Sequence, residues 1–150
     1  MGALGRLHTL RLWGFAWGAS HIQRMAQAQS WGTLRSLDLG ANYIYGPVMD
    51  ALAPFEGLHD LSLSVNPLHD EGVRKLGQLP CFGSLRRLNL RHTHFGPTGL
   101  LMLTRSIRGP HLHTLHLGGN RLGPEGAALL APCAQLEALT PLDLGHAAAT

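Results

Sequence analysis

A short pattern, L-x-x-L-x-L, occurs six times in this 150-residue chain, starting at Leu7, Leu34, Leu58, Leu85, Leu112 and Leu139. The starts are spaced 27, 24, 27, 27 and 27 residues apart, and all eighteen framework positions are leucine. Self-similarity at such a period marks a stack of small units, none of which can bury its apolar face without its neighbours. No other feature restricts the fold as strongly. Thirty residues are leucine and only nine are aromatic, the bias that a repeated aliphatic framework produces.

The register continues past the framework. Asn42, Asn66 and Asn120 hold the ninth position, where Phe15 and Thr93 depart from it. The eleventh position is apolar in Trp17, Ile44, Leu68, Phe95 and Leu122, and the nineteenth in Met25, Leu52, Leu76, Leu103 and Leu130. Repeat 2 is three residues short but keeps Leu52 in register, so its deletion falls between the helix and the next strand. The segments "LRSLDLGANYI", "LHDLSLSVNPL" and "LHTLHLGGNRL" resemble the core of leucine-rich repeat proteins. The 27-residue period and the "LGPEGAALL" helix start resemble the ribonuclease-inhibitor-like subclass most, over about residues 4–145. The resemblance implies one leucine-rich repeat domain spanning 1–150, an α/β horseshoe with parallel strands inside and short helices or 3₁₀ turns outside. The sixth repeat, from Leu139, is incomplete.

Elementary physics gives each position a task. Leucines at positions 4 and 6 have strand spacing and share one face, directed into the core. Positions 3, 5 and 7 face solvent. The asparagine ends the strand, where its amide can bond backbone groups that the turn leaves unpaired. In "GPEG", Pro124 fixes φ, Gly126 relieves crowding, and a helical turn follows. Phe15 has no polar group for the asparagine's task, so repeat 1 is expected to be irregular there.

The search for chemistry returns little. There is no H-E-x-x-H, G-x-S-x-G or C-x-x-C, and the glycines near 118–126 lack the Gly-Lys-Ser/Thr ending of a phosphate loop. Ten histidines invite a metal, and His92, His94, His111, His113 and His116 are the densest group. His113 and His116 stand three apart on an extended segment, and zinc needs three or four converging ligands. No metal, cofactor or enzymatic activity is expected. Cys81 and Cys133 hold different repeat positions two repeats apart, beyond disulfide reach, and are expected to act as small buried apolar groups. A net charge of +3 with scattered arginines gives no nucleic-acid stripe. No run approaches the ~20 apolar residues of a membrane span. The apolar "LWGFAWGA" after Arg11 is better explained by the first repeat than by a signal peptide. The expectation is a cytoplasmic monomer.

What remains for function is the concave sheet. Its candidate protein-binding residues are Arg11, Trp13, Asp38, Asp60, Arg87, Asn89, Arg91 and His116. A tryptophan beside arginines on a polar face has the composition of a binding hot spot. The function expected is a non-catalytic protein-interaction module. The alternative is a repeat segment of a larger receptor, ubiquitin-ligase adaptor or GTPase regulator whose effector domain lies outside it, because solenoids usually carry atypical caps. Pro141, in the last strand, is expected to turn its missing N–H outward and discourage edge pairing.

Overall fold

The computed structural model describes residues 6–28, 31–137, 139 and 142–145. Each leucine pattern forms one short strand: β1 (Thr9–Arg11), β2 (Ser36–Asp38), β3 (Asp60–Ser62), β4 (Arg87–Asn89), β5 (Thr114–His116) and β6 (Leu142–Asp143). They make one parallel sheet in sequence order, with equivalent repeat positions paired, as in Leu37↔Leu61 and Leu61↔Leu88. β6 joins β5 through Leu115↔Leu142; Thr140 and Pro141 lie outside the described residues, and with them the edge expectation.

Between strands run α1 (Ala19–Gln27), α2 (His69–Leu76), α3 (Pro97–Ser106) and α4 (Gly123–Leu130). The short second repeat has a 3₁₀ helix, Gly46–Leu52, in place of an α-helix. Strands sit about 4.8 Å apart, whereas helices with their side chains are about 10 Å wide. A stack with strands on one side and helices on the other therefore curves, with the strands inside. The framework leucines of the inner repeats are buried in one continuous core, and Leu10, Leu12, Leu142 and Leu144 at the ends are half-buried.

A second row closes the core before each strand. Three residues ahead of the framework leucines stand Trp31, Phe55, Phe82 and Leu136, the three aromatics buried and Leu136 partly so. In repeat 4 the same place is Gly109.

Side-chain amides stitch the strand ends together. Asn66 Nδ2 donates to the carbonyls of Leu63 and Ser64 in its own repeat and Leu39 in the previous one, at 3.0, 3.2 and 3.0 Å. Its Oδ1 accepts the N–H groups of Asn42 and Ile44. Asn42 likewise bridges to Leu12 and Trp17, and Asn120 to Leu90 and Thr93. At Phe15 the row fails, and that ring is exposed. Thr93 Oγ1 donates to Leu90 O in its own repeat and lies 3.3 Å from Asn120 Oδ1 in the next, but bonds nothing in repeat 3, so no side-chain amide spans repeats 3 and 4. Asp70 compensates there: its Oδ1 accepts the N–H groups of Gly96 and Gly99 at 2.8 and 3.0 Å, capping α3 from the neighbouring repeat.

Asn66→Ala leaves five buried backbone groups without this partner. At about 1–3 kcal/mol for each group that stays unpaired, it is expected to cost about 3 kcal/mol or more. Thr93→Ala should cost only about 1 kcal/mol, since Asn120 still serves Leu90 O. Urea unfolding of the two variants checks this; equal losses would contradict the ladder.

Candidate functional site

Positions 3, 5 and 7 form the solvent side of the sheet, because the alternating leucines of positions 4 and 6 take the core side. The strands thereby align the candidate residues in rows. Asp60 and Arg87 lie opposite each other on β3 and β4, and the guanidinium grips the carboxylate in two bonds, Nε–Oδ1 2.7 Å and Nη2–Oδ2 3.0 Å. That fork raises the Arg87 pKa further, through the hydrogen bond first and the charge second. Arg91 reaches across one repeat to Asp143, 2.9 Å away. Asp143 is held below the usual carboxylate range, chiefly by the N–H of Gly145, with Arg91 and His116 adding to it. The buried Nδ1 of His116 lies 3.5 Å from the same carboxylate and has no hydrogen-bond partner.

Three of the fifth-position acids and amides also work on their own backbone. Asp38, Asn89 and Asp143 each accept the N–H two residues on, from Gly40, Arg91 and Gly145. The sheet uses much of its charge to finish its strand ends and to tie repeats together. Arg11 differs: it is exposed and enters no ion pair among the described residues.

Large side chains here lie on glycines of the next repeat. The Trp13 ring occupies the space a Cβ at Gly40 would need, while the ring stays 60% exposed. Arg91 passes over Gly118, and the His92 ring over Gly119. Together the rows leave an open groove of about 410 Å³ that runs from Arg11 past Asp38, Asp60 and Arg87 to His116.

Sequence reasoning missed the neighbouring edge. Trp13, Phe15, Tyr43, Tyr45 and Val65 are the large apolar residues exposed among those described, and all fall at positions 7–12 of repeats 1–3. Phe15 and Trp17 are in ring contact, and Trp17 stacks on His21. The signal was available: Trp13, Phe15, Tyr43 and Tyr45 occupy places where other repeats have smaller or polar residues. Apolar exposure confined to one edge, and adjoining a polar groove, has the makeup of a protein-contact surface.

Of the histidines, His113 is exposed, and His69 and His94 meet edge to face at 5.7 Å. Among the described residues no three His, Cys, Asp or Glu side chains converge as a metal would require, and no helix is long and apolar enough to cross a membrane.

The family model for the leucine-rich repeat matches residues 58–77, 84–103 and 110–131, which are most of repeats 3, 4 and 5. With the six-stranded parallel sheet, the fold is an α/β leucine-rich repeat solenoid. Leucine-rich repeats generally mediate protein–protein interaction. No curated protein matches the chain.

The cysteines stand apart from these surfaces. Cys81 is buried, and desolvation pushes its thiol up to about 11. Cys133 was expected to be buried too. It is only partly so, because it follows Pro132 in an exposed turn, and its Sγ donates to Leu129 O. At pH 8, Ellman's reagent is expected to modify Cys133 readily in the native protein and Cys81 only after denaturation. Rapid modification of both native thiols would contradict the burial of Cys81.

Proposed function

We propose that the chain is a non-catalytic protein-binding module that holds its partner on the concave sheet. Trp13 and Arg11 form the anchoring end on this reading, and the groove past Asp38, Asp60, Arg87 and Asn89 toward Arg91 and His116 supplies the polar rim. One observation carries it. Trp13 is exposed, yet its ring is braced against Gly40, so it can bury a large area on binding at little entropic cost. The exposed aromatic edge beside it extends the same contact area.

The 27-residue period and the Gly-Pro helix starts support the ribonuclease-inhibitor-like subclass. The dispersed arginines, two of them already paired with acids, favour a protein over nucleic acid as the ligand. In this account the module works without a cofactor, as a monomer in the cytoplasm, away from membranes.

The test is affinity capture from a lysate of the source cells, with quantitative mass spectrometry. Arg11→Glu combined with Trp13→Ala, both exposed, should leave circular dichroism unchanged and reduce the specifically captured protein at least about tenfold, the loss of a modest hot spot. Undiminished capture would move the contact off this end of the sheet.

A further inference from the structure

The row of apolar side chains that closes the core ahead of each strand has one gap. Trp31, Phe55 and Phe82 are buried, and Leu136 packs against the core in the last copy. Gly109 stands in the equivalent place of repeat 4 and supplies no side chain. At that point lies a socket of about 230 Å³, walled by Phe82, Leu85, Ile107 and Leu112. Its walls are mainly apolar, and the exposed Arg108 and His111 stand at it without an acidic neighbour in the lining. The socket precedes the strands and the asparagine loops follow them, so it opens on the edge opposite the aromatic patch.

We propose that this socket is a binding site for an aromatic side chain of a partner protein, presented on an acidic segment. The chain itself gives the shape argument: in three sibling repeats the corresponding space takes a phenylalanine or tryptophan of the repeat's own turn. Repeat 4 keeps the apolar neighbours and omits the ring. Arg108 supplies the charge argument, since a carboxylate flanking the ring would meet its guanidinium. A cavity left open to solvent between buried leucines and a phenylalanine is also a place where a ring gains by leaving water. The site is independent of the concave-sheet reading, because no residue of the socket belongs to that groove.

Gly109 can be tested directly. Its φ is not in the left-handed region, and an added Cβ would meet only the His111 ring, at ordinary contact distance. Gly109→Phe should therefore refill the gap from within. The chain has three isoleucines, so δ1-methyl labelling gives three NMR signals, with the buried Ile22 and Ile44 as internal references for Ile107. Acetyl-Asp-Phe-Asp-amide should shift the Ile107 signal saturably, with a Kd on the order of 1 mM, the range open to one ring with an ion pair. Ile22 and Ile44 should stay in place. Acetyl-Asp-Ala-Asp-amide should give no shift, and acetyl-Lys-Phe-Lys-amide should bind about tenfold more weakly. Gly109→Phe should raise the Tm and abolish the shift, and Arg108→Glu should reverse the charge preference. An unmoved Ile107 in the wild type overturns the proposal whether or not the variant folds. Retained binding in a folded Gly109→Phe protein also overturns it. Phenylacetate binding as tightly as the tripeptide overturns the assignment to a protein segment, in favour of a small aromatic acid.

Discussion

Everything in this fold depends on pairing the backbone groups that short strands leave bare where they turn. Each strand has only two or three residues, and after it the chain turns sharply over a leucine core with no water to satisfy its carbonyls. An asparagine amide solves the problem because it has both donor and acceptor on one short, flat group. Asn66 alone serves three carbonyls and two N–H groups, and it does so across two repeats. The same side chain that ends one strand thus ties it in register to the one before. Where the amide is absent, at Thr93, a carboxylate on the helix of the preceding repeat, Asp70, ties the seam instead.

Regular stacking also dictates what the surfaces can show. Equivalent positions lie one strand spacing apart, so a ring that leans onto the next repeat takes the space of the side chain there. Trp13 over Gly40 and His92 over Gly119 are two instances, and at Gly118 it is the Gly145 carbonyl that fills the space. Neighbouring acids and bases pair because register puts them opposite each other, as in Asp60 and Arg87. The exceptions are Arg11, which has no ion pair among the described residues, the exposed aromatics of repeats 1–3 and the place that Gly109 leaves unfilled.

The architecture was legible in the chain because leucine at eighteen spaced positions has few other meanings. The inward leucines, the parallel order and the deviation of repeat 2 all follow from counting. The state of the candidate site was not. Whether Arg87 is a free charge or half of a fork depends on a residue 27 positions earlier, and the double duty of Asp38 and Asn89 depends on turn geometry. Backbone conformation was least readable. The eighth residue of each of the first five repeats is left-handed, with φ of 51–74°, yet those residues are Gly14, Ala41, Val65, His92 and Gly119. A valine there bears a steric cost of roughly 1–2 kcal/mol, which persists because its N–H must still reach the next repeat. The row of Trp31, Phe55 and Phe82 could have been found by counting back from each framework leucine.

Native-state hydrogen exchange tests the inter-repeat amide ladder most directly. The N–H groups of Asn42 and Ile44 both donate to Asn66 Oδ1, whereas that of Leu90 donates to the His116 carbonyl and makes no use of the ladder. In Asn66→Ala, exchange at Asn42 and Ile44 should accelerate about 10–100-fold relative to Leu90, the equivalent of one to two unpaired buried groups. If all three amides keep their relative rates, the asparagine is not what joins one repeat to the next.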